Sequence, residues 1–218
     1  LISNFSNMNV KVFPFNPLQE NTYLIWDETG EAAVIDAGML FDKEKERIKR
    51  FIEENQLTLI RVINTHLHFD HQFGNKFLHE TYGIMPDAGA EDEFLLDSAH
   101  LVAKNWGIPY SESVQRPGSY ITDNQIINFG NTSLIAMHTP GHSPGSFSLY
   151  CKEAGVVFVG DVLFNSSIGR TDFVKGDYAT LIKSIEERLM TLPDETVVYC
   201  GHGPSTTIGY ERQYNPFL

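Results

Sequence analysis

Two segments far apart in the sequence carry the same alternation of apolar runs and polar turns. Residues 21–36, NTYLIWDETGEAAVID, and residues 146–161, SFSLYCKEAGVVFVGD, each contain two apolar runs around a polar turn and end in an aspartate. This pattern predicts a β-hairpin in each segment. Residues 43–55 and 177–190 then carry apolar side chains at helical spacing, so an amphipathic helix is predicted after each hairpin.

Each predicted helix leads into a further apolar strand that ends beside a histidine. Residues 57–65, LTLIRVINT, precede His66, and residues 195–201, ETVVYCG, precede His202. The order β-β-α-β therefore occurs twice, although the residues themselves differ. Because sheets and amphipathic helices must bury their apolar faces, we expect two similar halves packed sheet on sheet with helices outside. The predicted fold class is α+β, a four-layer αββα sandwich.

The residues between the two predicted halves contain helices and an aromatic loop. Their pattern predicts two helices, one from Asp70 or His71 to about Thr81 and one over residues 90–105. The loop, residues 106–120, includes Trp106 and Tyr110. Aromatic loops beside a sheet edge often shape a pocket, so Trp106 and Tyr110 are candidate substrate-binding residues. A solvated connector is the alternative interpretation of this loop.

Length and charge favour one domain that acts on small molecules. The chain has 218 residues, 42% of them hydrophobic, which suits a single domain over residues 1–218. Its formal net charge of −12 would be repelled by nucleic acids and anionic membranes, so we expect neither as a partner. Cys151 and Cys200 do not suggest a disulfide framework, and no membrane-spanning or leader pattern occurs. We therefore expect a cytoplasmic protein, and its oligomeric state stays open.

The segment HLHFDH, residues 66–71, concentrates metal-ligand side chains. In an extended segment His66 and His68 point to the same side, so both can reach one ion. Asp70 and His71 are adjacent at a turn, so their side chains diverge and would serve a second ion nearby. Imidazole and carboxylate donors without thiolate suit zinc, iron or manganese.

Three more ligand-type residues follow apolar runs, namely His142, Asp161 and His202. A packed sandwich could bring all seven candidates to one edge, where they would form a metal site with open coordination positions. A purely structural site would instead fill its coordination shell with protein ligands. Single histidines after a strand are usually surface or core residues, and we interpret His79, His100 and His138 in that way.

The sequence resembles the metallo-β-lactamase superfamily over nearly its whole length. The matching motifs occur in the family's order and are VIDAG at 34–38, THLHFDH at 65–71, TPGHSPGS at 139–146, GDVLF at 160–164 and CGHGPST at 200–206. The resemblance implies that His66, His68 and His142 hold one ion and that Asp70, His71 and His202 hold the other. It further implies that Asp161 bridges the two ions and that Asp36 is a structural residue near the site.

Departures from the branches of this family narrow the expected activity. The β-lactam hydrolases usually lack the histidine of position 71 and often use cysteine in the second site, so β-lactam hydrolysis is disfavoured. The flavodiiron branch has glutamate in place of His68, and the nuclease branches carry additional domains or arms. The resemblance therefore favours type II glyoxalases, which hydrolyse glutathione thioesters, together with persulfide dioxygenases and small lactonases.

The segment SSIGRTDF, residues 166–173, bears on the substrate. Larger glyoxalases hold a glutathione carboxylate with a lysine and a tyrosine here, whereas this chain has Arg170 and Asp172. Both are candidate substrate-binding residues, and a structural ion pair between them is the alternative. Only sixteen residues follow His202, so we expect a relative of the short bacterial glyoxalase II-like hydrolases. The GRTDF sequence also resembles the persulfide dioxygenases.

These observations predict a metal-dependent hydrolase that cleaves a thioester such as a hydroxyacylglutathione. We expect two divalent metal ions, with zinc as the first choice and iron or manganese as alternatives. A hydroxide that bridges the ions is the expected nucleophile, and Asp70 is the expected catalytic residue that orients or deprotonates the attacking water. A mononuclear iron persulfide dioxygenase is the first alternative, and a small lactonase or esterase is the second.

Overall fold

Two six-stranded β-sheets form the centre of the structure, a computed structural model that describes residues 8–218. Residues 1–7 of the predicted domain lie outside the described residues. The first sheet contains, in spatial order, β1 (Asn9–Phe15), β2 (Glu20–Trp26), β3 (Glu31–Ile35), β4 (Thr58–Ile63), β5 (Pro86–Gly89) and β6 (Ser119–Ile121).

The second sheet contains β7 (Ile126–Phe129), β8 (Thr132–His138), β9 (Phe147–Cys151), β10 (Val156–Gly160), β13 (Val197–Cys200) and β14 (Thr206–Thr207). A two-stranded ribbon is formed by β11 (Leu163–Phe164) and β12 (Ser167–Ile168). The described residues contain the helices α1 (Asp42–Glu54), α2 (Asn75–Tyr82), α3 (Glu93–Asn105), α4 (Tyr178–Ser184) and α5 (Ile208–Tyr214). None of these helices is both long and apolar enough to cross a lipid bilayer.

The main hydrophobic core lies between the two sheets. Alternate residues of a strand face opposite sides of its sheet. Accordingly, Tyr23 and Ile25 of β2 pack in one cluster with Leu149 of β9 and Phe158 of β10. Leu24, which lies between Tyr23 and Ile25, points away from this core and belongs to a different cluster. The two sheets therefore face each other through their inner side chains.

The outer face of each sheet is covered by helices. Ile48 and Ile52 of α1 pack with Leu24 and Val34 of the first sheet. On the other side, Leu181, which lies in α4, packs with residues of the second sheet such as Val157 and Val198. The order of layers is thus helix, sheet, sheet, helix, which confirms the predicted αββα sandwich.

The two predicted halves have the same strand topology. In the first half, β2 pairs antiparallel with β3, and β3 pairs parallel with β4 after α1. In the second half, β9 pairs antiparallel with β10, and β10 pairs parallel with β13 after α4. Asp177 caps α4 as expected, because its carboxylate accepts a hydrogen bond of 2.7 Å from the backbone N–H of Thr180.

Several boundaries differ from the sequence prediction. The helix expected over residues 177–190 is α-helical over Tyr178–Ser184 and continues as a π-helical turn over Ile185–Leu189. The helix expected from Asp70 or His71 begins only at Asn75, because Phe69–His71 form a short 3₁₀ turn that turns the chain toward the interior. The loop expected over residues 106–120 ends in a strand, since Ser119–Ile121 pair parallel with β5 at the edge of the first sheet. A three-residue edge strand has too little apolar alternation to be recognised from sequence.

Candidate metal centre

The predicted ligand-type residues collect at one edge of the sandwich. The strands β3 and β4 run parallel, as do β10 and β13, so within each sheet these strands end at the same edge. His66 lies just beyond the end of β4, Asp161 directly follows β10, and His202 follows β13. His142 reaches the same place from the loop between β8 and β9. Side chains from four separate parts of the chain therefore meet there.

One cluster consists of three histidines. The candidate ligand atoms of His66, His68 and His142 all lie within 4.8 Å of one another. The Nδ1 of His68 is 2.8 Å from the Nε2 of His142. His66 and His142 are buried, and His68 is partly buried. Three ring nitrogens at these separations can hold one metal ion.

A second cluster combines one carboxylate with two histidines. The candidate ligand atoms of Asp70, His71 and His202 also lie within 4.8 Å of one another. Asp70 Oδ2 is 3.2 Å from the Nε2 of His202 and 3.7 Å from the Nε2 of His71. Asp70 and His71 are buried, so this cluster has the donors and the low solvent exposure of a second cation site.

The carboxylate of Asp161 lies between the two clusters. Its Oδ1 is 3.5 Å from the Nε2 of His71, and its Oδ2 is 3.6 Å from the Nε2 of His142. The same Oδ2 is 3.7 Å from the Nε2 of His202. A Cβ atom at Gly201 would lie 2.1 Å from Asp161 Oδ1, so only glycine leaves room for this carboxylate. The position of Asp161 allows it to contact ions in both clusters.

Hydrogen bonds fix the orientation of three of the imidazole rings. The Nδ1 of His142 is 2.8 Å from the carbonyl of Arg170, and the Nδ1 of His202 is 3.1 Å from the carbonyl of Leu18. The Nδ1 of His71 is 3.0 Å from Asp36 Oδ2. Each Nδ1 can thus donate its proton outward, which leaves the Nε2 lone pair facing the centre. Histidines that bind metal ions are typically oriented in this way.

Several buried atoms at the centre lack hydrogen-bond partners. These atoms are His66 Nε2, His71 Nε2 and Asp161 Oδ1. Buried polar atoms are normally satisfied, so the convergence of these three atoms fits a site that binds a cation. Burial and the neighbouring His71 lower the pKa of His66 well below its usual value, and burial together with His142 lowers the pKa of His68 to about 3. Neutral imidazoles are the form that binds metal, so His66 and His68 fit a divalent cation.

Asp36 supports this centre without facing it. Its Oδ1 accepts a hydrogen bond of 2.7 Å from the backbone N–H of Thr65, and its Oδ2 accepts one of 2.7 Å from the hydroxyl of Thr65. Oδ2 also lies 3.0 Å from the Nδ1 of His71. Asp36 therefore holds the segment before His66 and orients His71, which agrees with its interpretation as a structural residue.

Sequence reasoning missed Asp92, which connects two of the metal-ligand segments. Its Oδ2 accepts hydrogen bonds from the backbone N–H of Leu67, at 3.2 Å, and from the hydroxyl of Ser143, at 2.6 Å. Its Oδ1 accepts a bond of 2.6 Å from the N–H of Gly145. Asp92 stands in the acidic run AEDE, and nothing in that run distinguishes it from Glu91. Its role depends on contacts with residues distant in the chain.

Glu20 is a second buried carboxyl group that the sequence did not reveal. It is fully buried beneath the second cluster, with Oε1 3.9 Å from the Nδ1 of His71 and Oε2 2.8 Å from the hydroxyl of Thr22. Burial raises the pKa of Glu20 well above its usual value, although His71 acts in the opposite direction. No motif marked this position, because the hairpin was predicted from the apolar runs of residues 21–36, whereas β2 begins one residue earlier, at Glu20.

A cavity of about 600 Å³ lies over the two clusters. His68, Asp70, His142, Asp161 and His202 contribute to its lining, so the candidate metal centre forms its floor. Most of the remaining lining is apolar, from residues that include Phe94, Leu95 and Val102 of α3. The volume is typical of a site for a small molecule.

The four predicted substrate-binding residues have different positions. Trp106 lines the cavity and is 48% exposed. Arg170 also lines it, with Nε and Nη2 2.9 and 2.7 Å from the two carboxylate oxygens of Asp172. Asp172 does not line the cavity. Tyr110 was predicted at the site, but it is buried and packs against Phe73, with ring centroids 4.7 Å apart. Its apolar ring is part of the core behind the cavity.

Comparison with known proteins identifies the family of this chain. The sequence profile of the Metallo-beta-lactamase superfamily matches residues 15–202. The chain belongs to this superfamily. A curated relative, "Hydroxyacylglutathione hydrolase GloC" of Haemophilus influenzae, is 38% identical over 212 residues, which cover 97% of this chain and 98% of the relative. The match supports the expected resemblance to short glyoxalase II-like hydrolases.

Three solved structures share the fold over most of this chain. The BLEG-1 B3 metallo-beta-lactamase has a TM-score of 0.86 and 36% identity, and the match covers 96% of this chain and 99% of that one. TTHA1623 in a di-iron-bound form has a TM-score of 0.83 and 36% identity, with 96% and 100% covered. ETHE1 from Myxococcus xanthus has a TM-score of 0.75 and 30% identity, with 95% and 83% covered.

Proposed function

We propose that this chain is a metal-dependent hydrolase of small thioesters and that a hydroxyacylglutathione is the first substrate to test. The observation that carries the proposal is the pair of three-residue clusters on either side of Asp161, at the floor of a cavity. The similarity to a hydroxyacylglutathione hydrolase supports the thioester as the bond that is cleaved. A cytoplasmic location and a small-molecule substrate are part of the same proposal.

The proposed site holds two divalent ions. His66, His68 and His142 would hold one ion. Asp70, His71 and His202 would hold the other ion, and Asp161 would contact both. Ions bound there would lower the pKa of water and polarise the acyl carbonyl. We propose zinc first and iron or manganese as alternatives, because imidazole and carboxylate donors suit all of them. The di-iron form of TTHA1623 supports iron as strongly as the donor set supports zinc.

Asp70 is the proposed catalytic residue. Asp70 is buried at the cavity floor, where its Oδ2 lies 3.2 Å from the Nε2 of His202. Burial acts to raise the pKa of Asp70, but His71 and His202 lower it below its usual value. The carboxylate is therefore ionised at neutral pH and can accept a hydrogen bond from the attacking water. It would orient this water or take its proton.

The backbone around the cavity has a second role. The carbonyls of Leu18 and Arg170 orient His202 and His142, and the side chains of both residues line the cavity. The segments that would contact a substrate in the cavity are thus also the segments that hold the imidazoles. A substrate that displaces either segment would change the orientation of a ligand-type histidine.

The proposal is tested by metal analysis and thioester hydrolysis on the same preparation. We expect about two equivalents of metal and hydrolysis of S-lactoylglutathione. His68→Ala and Asp70→Ala should each lower kcat/KM about 100-fold or more, because His68→Ala removes a metal-ligand nitrogen and Asp70→Ala removes the proton acceptor. His100→Ala is the matched control, since His100 is exposed on α3 and outside the clusters. Folded His68→Ala and Asp70→Ala variants as active as the parent would contradict the proposal.

A persulfide dioxygenase is the second candidate. The GRTDF segment and the similarity to ETHE1 support it. One equivalent of iron together with oxygen uptake on glutathione persulfide, and no thioester hydrolysis, would favour it over the hydrolase. A β-lactam, a lactone and a simple ester belong in the same panel, because BLEG-1 carries the β-lactamase name and a lactonase or esterase is the remaining alternative.

A further inference from the structure

The cavity over the metal centre has two apolar walls. One wall is α3, which presents Phe94, Leu95 and Val102. The facing wall is the segment after Gly169, which presents Phe173 and Val174. The polar residues of the cavity are concentrated at the floor, where the candidate metal ligands lie. A molecule that enters the cavity therefore meets hydrocarbon surface above the reacting atoms.

Some of this apolar surface is exposed to solvent at the cavity mouth. Val174 is 70% exposed, and Trp106 is 48% exposed. Contiguous exposed apolar side chains around a concave site commonly mark the place where an apolar ligand is buried. The Nζ of Lys175 lies 4.1 Å from the centroid of the Phe94 ring, so a cation–π contact joins the two walls. The apolar walls therefore form a defined slot.

The charges around the slot do not suit an anionic substrate. Among residues 8–218, Arg170 is the one arginine or lysine that lines the cavity. Its guanidinium forms two hydrogen bonds with the carboxylate of Asp172, at 2.9 and 2.7 Å. The guanidinium carbon also lies 4.6 Å from the centroid of the Phe173 ring. The positive charge of Arg170 is thus already compensated by a neighbouring carboxylate.

Glutathione conjugates carry carboxylate groups that need cationic or hydrogen-bonding partners. Among residues 8–218, the lining offers these carboxylates one arginine or lysine, the paired Arg170, and Lys175 stands outside the lining. The formal net charge of −12 adds a general repulsion of anions. An uncharged acyl chain has no such requirement and gains free energy from each methylene group that it buries.

We infer that the substrate of this centre is a thioester with an uncharged, apolar acyl group of medium length, which lies in the slot between α3 and the segment that carries Phe173. The inference rests on the proposed thioester hydrolase and narrows its substrate. In the reaction, the carbon–sulfur bond of the thioester breaks and a carbon–oxygen bond forms from water. The products are a fatty or branched carboxylic acid and a free thiol, and no oxidant or reductant is required.

The experiment compares acyl chains on one uncharged thiol. The kcat/KM of the metal-loaded protein is measured for acetyl-, butyryl-, hexanoyl- and octanoyl-N-acetylcysteamine, and for S-lactoylglutathione. Each methylene that the slot buries completely should raise kcat/KM by up to about fourfold. We expect the hexanoyl thioester to exceed both the acetyl thioester and S-lactoylglutathione at least about tenfold.

A pair of variants on α3 tests whether the slot causes this preference. Phe94→Ser should reduce the ratio of hexanoyl to acetyl kcat/KM at least about fivefold. Leu101→Ser is the matched control, because Leu101 is 61% exposed on the same helix and does not line the cavity. This control should keep the ratio of the parent.

Three outcomes are distinguishable. If kcat/KM increases with acyl chain length and Phe94→Ser removes this increase, the inference is supported. If kcat/KM stays constant or falls with chain length and S-lactoylglutathione is the best substrate, the inference is overturned and the proposed thioester hydrolase stays intact. Loss of S-lactoylglutathione hydrolysis in Lys175→Gln would then identify Lys175 as the cation that binds glutathione. No hydrolysis of any thioester by metal-loaded protein overturns the proposed function and this inference together.

Discussion

Replacement of Asp92 by asparagine tests how the three-histidine cluster is held together. The carboxylate of Asp92 accepts hydrogen bonds from Leu67, which lies between His66 and His68, and from Ser143 and Gly145, which follow His142. These bonds join the two segments that supply the cluster. Because all three partners donate, the carboxylate has no position at which an additional donor fits.

An amide at this position would create a conflict in either orientation. If its oxygen takes the place of Oδ2, its NH₂ faces the N–H of Gly145; if the amide is flipped, the NH₂ faces the N–H of Leu67. One buried backbone donor is then left without an acceptor, which costs about 1–3 kcal/mol. We therefore expect Asp92→Asn to lower the free energy of unfolding by about 2 kcal/mol. For a chain of this size that corresponds to a fall in Tm of about 4–8 °C.

The effect on metal binding should be confined to one cluster. Loss of a contact that orients ligands commonly weakens metal affinity about 10- to 100-fold. We expect this loss for the ion held by His66, His68 and His142, and little change for the other ion. Denaturant unfolding of the apoprotein and competition with a chromophoric chelator measure the two quantities separately.

Glu91→Gln is the matched control for this variant. Glu91 adjoins Asp92 in the chain, but its side chain is exposed. The control should change the free energy of unfolding by less than about 0.5 kcal/mol. If Asp92→Asn behaves like Glu91→Gln in both assays, the carboxylate does not hold the two segments together and the reasoning is refuted.

Three further predictions concern pH, cysteine reactivity and metal removal. Burial acts to raise the pKa of Asp27, but hydrogen bonds from Thr29, Thr132 and Asn131 lower it. The ionised Asp27 carboxylate should therefore stabilise the fold fully above about pH 4. This stabilisation should be lost as pH falls through the lowered pKa. The measurement is the difference in unfolding free energy between the parent and Asp27→Asn, followed as the pH is lowered. A difference that grows on acidification would contradict the prediction. Both cysteines are buried, and burial raises the pKa of the Cys200 thiol to about 12. A disulfide reagent should therefore label no thiol of the native protein and two thiols after denaturation. Rapid labelling of the native protein would be inconsistent with this packing. Removal of bound metal with a chelator should lower Tm, and added zinc or iron should restore it. The loss in unfolding free energy should be about 2.7 kcal/mol for an ion present at 100 times its Kd. An unchanged Tm would argue against a metal bound by the folded state.

The sequence by itself determined the elements of the fold and the chemistry of the site. Apolar alternation and helical spacing act locally, so both β-β-α-β repeats could be recognised from short segments, for example from the helical spacing of Leu181 and Ile185 in the second repeat. The HLHFDH segment also carried its meaning locally, because an extended backbone places His66 and His68 on one side. Donor type then restricted the metal without any knowledge of the tertiary structure.

The tertiary structure decided which distant residues act together. Asp161 reaches His71 only because two sheets pack face to face and end at one edge. The roles of Asp92 and Glu20, and the burial of Tyr110, are likewise set by neighbours far along the chain, which leave no periodic signal in the local sequence. The apolar slot is formed by α3 and the segment around Phe173, and their separation in space depends on the packing of the whole sandwich. Local sequence therefore specified the donors, whereas long-range packing specified their geometry and the surface that a substrate contacts.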